Sequence, residues 1–133
     1  MVRFGVDSGA ACTVIVNTEC MDYPLRHEGP PKKMRAAPGT LIVDEGQRHL
    51  CILTGGKPKI LRATAAKVTK NLLVVSDLVD TGHEVVFRKH EAYVRNETTG
   101  QRFDLKRANG VYEWDIEVVP YAQAPNGPEG RSP

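Results

Sequence analysis

One stretch decides the fold of this chain: Phe4-Gly5-Val6-Asp7-Ser8-Gly9-Ala10. Through residues 2–6 apolar side chains alternate with others, and this period of two is typical of a β-strand. The pattern stops at Asp-Ser-Gly and is followed by the β-branched run 11–16, which predicts a second strand. An acidic residue at the end of an apolar strand suits a carboxylate held at the floor of a cleft. Asp7 is therefore the first candidate for a catalytic residue.

Composition indicates a single domain of ordinary size. The chain has 133 residues, of which 41% are hydrophobic, enough for a modest core. The net charge of +2 and the scattered basic residues predict no direct binding of nucleic acid. No apolar stretch approaches the roughly 20 residues of a membrane span, and no signal peptide opens the chain. We expect an intracellular protein, cytoplasmic or nuclear, that is not secreted and has no membrane partner.

The cysteines and histidines predict neither a disulfide framework nor a metal site. Three cysteines are an odd number, and no Cys-x-x-Cys pair occurs, so a reducing compartment is favoured. The four histidines lack the spacing of metal ligands and are expected at the surface. No metal and no cofactor is predicted.

Short apolar runs separated by Gly, Pro and Asn predict a mostly β chain, arranged as a small closed barrel or sandwich with one short helix. Residues 71–81 carry apolar side chains at spacings of three and four, which predicts that helix, with Asn71 as N-cap and Gly82 as C′ residue. The Pro- and Gly-rich residues 22–39 predict a long surface loop. The further predicted strands are residues 41–43, 50–53, 59–62, 84–88, 92–95, 102–106 and 111–118.

The chemistry that suits Asp7 is peptide hydrolysis by two carboxylates that share one proton. The ionised carboxylate takes a proton from water, and the protonated one polarises the scissile carbonyl. Because the chain offers one well-formed corner, a two-fold homodimer is the simplest source of the second Asp. Ser8 can then hydrogen-bond across the axis, while Gly9 and the small Ala10 let the two backbones approach closely.

A related sequence, Asp-Thr-Gly at residues 80–82, offers a rival within the chain. A two-lobed single-chain protease would use Asp7 and Asp80 together. Asp80 lies at the end of the predicted helix instead of after a buried strand, and His83 and Glu84 follow it. We interpret it as a helix C-terminus with a glycine stop.

Three blocks of sequence carry a family resemblance. Residues 6–11 followed by Val14-Ile15 resemble the start of the retropepsin-like protease domain of retroelement Pol polyproteins. Residues 68–87 look like the K-N-L-L-S-V-S-x-L-x-x-x-G-x-x-V-x-F block of copia-type LTR retrotransposons. Residues 110–115 are similar to the G-V-Y-x-x-D that follows in those polyproteins. The blocks stand in family order and span most of the chain up to about Val118.

The resemblance implies an aspartic endopeptidase of retropepsin-like fold that acts as a homodimer on the element's own polyprotein. Asp7 carries over as the one catalytic residue of each chain, with Ser8, Gly9 and Ala10 as its loop. The family's flap, which closes over an extended peptide, is expected within residues 34–47, with Pro38-Gly39-Thr40 near its tip.

The resemblance also divides the chain. Residues 1–88 are the expected protease core, 89–118 a β-hairpin extension toward the integrase-linking region, and 119–133 a disordered tail. Because the chain starts almost at its main motif, we expect a piece of a longer polyprotein that nearly lacks the family's first strand. Where retroviral relatives carry an apolar-apolar-Gly triplet, this chain has Leu72-Leu73-Val74, which weakens the retroviral comparison more than the copia one. The alternative is a catalytically inactive retropepsin-like β domain that serves in peptide binding or dimerisation.

Overall fold

The chain folds mostly into β-strands with one short α-helix, which confirms the predicted class. The computed structural model describes residues 1–9, 11–36 and 39–128. The elements in chain order are β1 (Val2–Asp7), β2 (Val14–Val16), β3 (Met34–Ala36), β4 (Thr40–Ile42), β5 (Gln47–Leu53), β6 (Pro58–Ala66), β7 (Leu72–Val74), α1 (Val75–Asp80), β8 (His83–Arg88), β9 (Glu91–Asn96), β10 (Arg102–Asp104), β11 (Lys106–Ala108), β12 (Val111–Val118) and a 3₁₀-helix (Tyr121–Gln123).

The main sheet has seven strands in the order β1-β7-β2-β6-β5-β12-β11. Strand β7 lies between β1 and β2, parallel to β1 and antiparallel to β2. The Asp7 corner follows β1 and precedes β2, and both of these strands pair with β7. Asp7 is therefore next to Val74, the last residue of β7. Strand β2 then runs parallel to β6, which forms a long antiparallel hairpin with β5.

The last strand of the chain pairs with the first. β12 is antiparallel to β1, with Val2 opposite Ile116 and Val6 opposite Tyr112. The same strand also pairs with β5 through Val118 and with β11 near its start. Residues that the sequence assigned to an extension thus complete the sheet that carries Asp7.

The core follows from the alternation along these strands. In β1, Phe4 and Val6 are buried, and in β12 Trp114 and Ile116 are buried. Strand β5 is buried on both faces from Leu50 to Ile52, as expected of a continuous apolar run. Phe4, Ile15, Leu50, Ile52, Leu61, Leu73, Leu78, Val94, Trp114 and Ile116 belong to one cluster.

A second sheet of three strands, in the order β10-β9-β8, packs beside the first. Val94 of β9 is fully buried in the common core, and the ring centroids of Phe103 and Trp114 are 5.4 Å apart. Strands β8 and β9 pair with each other from His83↔Asn96 to Arg88↔Glu91, so the predicted domain boundary after residue 88 falls in the turn of this hairpin.

The predicted helix is shorter than its apolar spacing suggested. The helix covers Val75–Asp80, and its N-cap is Val74, without a side-chain capping bond. The residues before it, Leu72–Val74, form β7, because a parallel partner strand and a buried site are available to them. Asn71 is therefore not the helix cap. Gly82 does follow the helix with a φ of +85°, as predicted for a C′ glycine.

The strand pattern near the end of the chain was accurate. The predicted strand 111–118 is confirmed as β12, and the Asn109-Gly110 turn before it has positive φ at both residues, +51° and +78°.

The predicted strand 102–106 is broken at Leu105 into β10 and β11, which pair with different sheets. The predicted loop 22–39 contains β3, which pairs with β4 in a separate hairpin.

Of the segment predicted as a disordered tail, residues 119–128 are described and contact the rest of the fold; residues 129–133 lie outside the described part of the chain. Ala124 is buried, and the Tyr121 ring packs on Tyr23 with centroids 5.1 Å apart. Asn126 Nδ2 donates to the His49 carbonyl at 2.9 Å. The Pro- and Gly-rich composition gave no sign of these contacts, because each joins the segment to a residue distant in sequence. Among the described residues no helix has the length and apolar character to cross a membrane.

Candidate active site

Asp7 lies where the first strand leaves the core. Val6 is 5% exposed, whereas Asp7, Ser8 and Gly9 are all exposed. Asp7 is the last residue of β1 and is paired in register with Val74 of β7. A carboxylate is thus held at the end of a buried strand but remains accessible to solvent.

The corner itself is shaped by the Asp7 side chain. Its Oδ1 accepts a hydrogen bond of 2.7 Å from the Gly9 backbone N–H, which is an Asx-type turn. A Cβ atom placed on Gly9 would meet only that same oxygen, at an ordinary 3.5 Å. Among the described residues other than its chain neighbours, no further atom lies within 4 Å of that position. Ala10, the remaining predicted member of the loop, lies outside the described residues.

Asn71 fixes the two strands on which the corner stands. It is 5% exposed, its Nδ2 donates to the Arg3 carbonyl at 3.0 Å, and its Oδ1 accepts from the Val16 N–H at 2.7 Å. Its own carbonyl accepts from the Gly5 N–H at 2.9 Å. One side chain thus bridges β1 and β2 across β7. The sequence could not show this role, because both partners are backbone groups that any residue type provides.

Thr13 holds the outgoing side of the corner. Its Oγ1 donates to Asp77 Oδ2 at 2.6 Å and accepts from the Val74 N–H at 3.2 Å. The Thr13 side chain is buried, and Asp77 lies in the first turn of α1. The loop after Asp7 is therefore attached to the start of the helix.

Two clefts flank the corner. The first, which we call the Asp7 cleft, has a volume of about 790 Å³. It lies between the corner and the β11–β12 turn, and Phe87 and Val111 on its wall are 40% and 44% exposed. Its lining comprises Arg3, Gly5, Val6, Asp7, Ser8, Glu19, Thr69, Lys70, Asn71, Leu72, Phe87, Ala108, Asn109, Gly110, Val111, Tyr112 and Glu113.

The second cleft, which we call the hairpin cleft, has a volume of about 520 Å³. It lies between the loop that leaves the corner and the first arm of the β3–β4 hairpin. Its lining comprises Ala11, Cys12, Thr13, Lys32, Lys33, Met34, Gln47, Arg62 and Asp77.

The segment predicted as a flap contains an antiparallel hairpin, β3 paired with β4. Of the three residues predicted near its tip, Pro38 lies outside the described residues, Gly39 is exposed with a φ of +106°, and Thr40 is the first residue of β4. Leu41 and Val43 beyond it are 62% and 68% exposed. The hairpin thus presents apolar side chains to solvent.

Asp80, the rival candidate, is the last residue of α1 and is exposed. It is not among the residues that line either of the two clefts. Thr81 is the C-cap residue, its N–H bonds to carbonyls within α1, and Gly82 follows. This is the helix C-terminus with a glycine stop that the sequence predicted.

Two histidines differ from their predicted surface positions: the His49 side chain is 12% exposed, and His83 is fully enclosed. His83 is 1% exposed; its Nδ1 lies 3.2 Å from the Leu78 carbonyl and its Nε2 2.6 Å from Thr54 Oγ1. Burial lowers the pKa of the imidazole below its ordinary value, and the bond to Leu78 opposes this only in part. Among the described residues, no group of three His, Cys, Asp or Glu side chains is arranged to hold a metal ion.

Comparison with known proteins leaves the family open. No family model, no curated protein and no solved structure matches this chain. The case for a function therefore depends on the residues and their geometry.

Proposed function

We propose that this chain is an aspartic endopeptidase that acts as a homodimer, with Asp7 as the one catalytic residue of each protomer. The observation that carries the proposal is the position of Asp7: an exposed carboxylate at the end of a buried strand, turned by its own bond to the Gly9 N–H. The sequence resemblance to copia-type retropepsin-like domains supports the same reading, and makes a retroelement polyprotein the proposed substrate.

The mechanism needs two Asp7 side chains about 3 Å apart. At that distance both cannot be ionised, so the pair shares one proton. The ionised carboxylate removes a proton from water, and the protonated one donates to the scissile carbonyl and later to the leaving nitrogen. Asn71 and Thr13 are positioning residues in this proposal, because they attach the strands on either side of the corner.

Two observations favour a second copy as the source of the other carboxylate. Among the described, non-adjacent residues a Cβ on Gly9 would meet only Asp7 Oδ1, so a second copy has room to approach the backbone here. The Asp7 cleft also exposes Phe87 and Val111 next to the corner, and an apolar surface of this kind is stabilised by burial. We propose that the two-fold axis of the homodimer lies next to the Asp7 corner, so that the two Asp7 clefts face each other.

The rest of the fold is compatible with the retropepsin-like type. Pairings lead from β1 through β7, β2, β6, β5 and β12 back to β1, as a small closed barrel requires. The β3–β4 hairpin, with Leu41 and Val43 exposed, is the proposed flap. A peptide bound beneath it would be held by main-chain hydrogen bonds in the manner of an added strand.

The decisive experiment is cleavage of a peptide library at acidic to neutral pH by the wild type and by Asp7→Asn. We expect cleavage by the wild type, loss of at least about a thousandfold in kcat/KM for Asp7→Asn, and inhibition by a transition-state mimic of aspartic proteases. Asp80→Asn is the matched control and should retain full activity. Cleavage that survives Asp7→Asn would refute the mechanism.

Dimerisation is tested separately by equilibrium sedimentation. The wild type should self-associate at micromolar concentration, and Val111→Asp should weaken this association because it places a charge in the Asp7 cleft. Ile60→Asp is the control, since Ile60 is similarly exposed at 39% but lies on β6, outside that cleft. A wild type that cleaves peptides as a strict monomer would contradict the homodimer.

A further inference from the structure

The hairpin cleft differs in character from the Asp7 cleft, because three cationic side chains meet on its walls. Lys32 and Lys33 precede β3, and Arg62 lies on β6. All three are exposed, and within the described residues none forms an ion pair with a carboxylate. By contrast, Arg95 and Arg102 on the second sheet are each paired, at 2.8 Å and 2.6 Å.

The one carboxylate on the wall does not cancel this charge. Asp77 Oδ2 is bonded to Thr13 Oγ1 at 2.6 Å, which directs it toward the corner loop. Lys32 Nζ donates to Thr64 Oγ1 at 3.2 Å, so its ammonium group is held over β6. Three cations against one carboxylate leave the cleft with an excess of two positive charges.

Apart from the polar Thr13 and Gln47, the remaining wall is small or apolar. Met34 is 9% exposed, and Ala11 and Cys12 lie opposite it, with Cys12 Sγ 3.7 Å from Met34 Sδ. A wall of this kind contacts methylene groups, while the cations at the rim bind a terminal carboxylate. The cleft volume of about 520 Å³ is ample for one side chain.

We propose that the hairpin cleft is a specificity subsite that receives an acidic side chain, Glu or Asp, of the bound peptide. This inference rests on the proposed protease function, because the cleft lies between the loop that leaves the Asp7 corner and the base of the proposed flap. A peptide held beneath the hairpin near Asp7 projects alternate side chains to opposite faces, and one of them enters this cleft. Lys33 and Arg62 supply the charge, and Lys32 is fixed beside them by Thr64.

The test compares peptides that differ only in Glu or Gln at each position around the cleaved bond. At one position, the wild type should cleave the Glu peptide with a kcat/KM about tenfold higher than the Gln peptide, as expected for several partly exposed charge pairs acting together. Added salt should reduce that preference, because these charges are in contact with solvent.

Charge reversal assigns the preference to this cleft. Arg62→Glu and Lys33→Glu should each raise KM for the Glu peptide and reduce the Glu-over-Gln preference in kcat/KM. Lys57→Glu, an exposed lysine in the turn between β5 and β6, changes the net charge equally and should keep the preference. Thermal unfolding of each variant verifies that it remains folded.

The outcomes separate the subsite from the activity. If the wild type cleaves no peptide, the proposed function fails and the subsite fails with it. Cleavage without a Glu-over-Gln preference, or a preference that survives both charge reversals, overturns the subsite alone. Inhibition experiments give a further outcome. If inorganic phosphate or an oligonucleotide inhibits cleavage of the Glu and Gln peptides equally, and the Glu peptide is not preferred, the cleft binds anions in general and the subsite proposal is overturned.

Discussion

Thr13 and Asp77, which are far apart in sequence, are joined by a hydrogen bond of 2.6 Å between Oγ1 and Oδ2. The same hydroxyl accepts the N–H of Val74, the residue that pairs in register with Asp7. One buried side chain therefore connects the loop after the corner, the strand beside it and the first turn of the helix. The geometry of the candidate catalytic loop depends on this connection.

Replacing Thr13 by Val should lower the free energy of unfolding by about 1–3 kcal/mol, because the Val74 N–H and the Asp77 carboxylate both lose their partner. The measurement is urea denaturation of wild type and variant. Thr18→Val is the control, since Thr18 is exposed and should change stability little. Equal stability of Thr13→Val and the wild type would contradict the role given to this hydroxyl.

Asn71→Leu should lower the free energy of unfolding by at least about 2 kcal/mol, because the Val16 N–H and the Arg3 carbonyl are left without partners. Hydrogen exchange gives a local readout: the Val16 amide should exchange faster in the variant. Asn17→Leu provides a comparison, since within the described chain the Asn17 side chain bonds only to the partly exposed Glu45 carboxylate. A variant in which the Val16 amide stays protected would show that Asn71 does not hold β2.

His83 should make stability depend on pH. Burial lowers its pKa below 6.5, so the folded state favours the neutral imidazole. Its stabilising contribution is complete above the unfolded pKa and is lost as pH falls below it, so the free energy of unfolding should decrease as the pH falls below about 6.5. In His83→Gln this decrease should be smaller than in the wild type.

His90→Gln is the control for that experiment, because His90 is exposed. The pKa of half-buried His49 is also lowered by burial, so some pH dependence should remain in every variant. If His83→Gln keeps the full pH dependence of the wild type, His83 is not its source.

Two adjacent glycines should respond differently to the same substitution. Both have positive φ, +151° at Gly55 and +91° at Gly56, so Ala is strained at each by about 1–2 kcal/mol. A Cβ at Gly55 would also lie 2.6 Å from Thr99 Oγ1 and 2.8 Å from Asn96 Nδ2, whereas nothing lies within 4 Å at Gly56. Thermal unfolding should therefore show a clearly larger decrease in Tm for Gly55→Ala than for Gly56→Ala. Equal losses would mean that the loop relaxes around the new methyl group.

Sequence periodicity predicted the elements whose signals are local. The alternation in residues 2–6 and the Asn109-Gly110 turn before β12 led directly to the correct strands. The apolar spacing of residues 71–81 predicts one helix, because Leu72 and Leu73 fit a helical face as well as a buried strand. Only the availability of β1 as a parallel partner decides between the two, and that is a tertiary fact.

The residues of the candidate site also fall into two groups, those with local partners and those with partners distant in sequence. Asp7 and Gly9 form a corner that a short motif can reveal, and its bond is local. Asn71, Thr13 and His83 bond to backbone groups or to residues distant in sequence, so one sequence gives no sign of them. Their burial follows from how the strands pair, which periodicity does not specify.

The pairing of Val2 with Ile116 has a consequence for how the protein is made. During translation the first strand leaves the ribosome well before its partner Val111–Val118, which follows it by more than a hundred residues. Until then one edge of β1 has no native partner, and the closing step must join segments separated by more than a hundred residues. Premature termination before the final strand would release a nascent chain with an open edge, for which assistance by chaperones or rapid degradation is the expected fate.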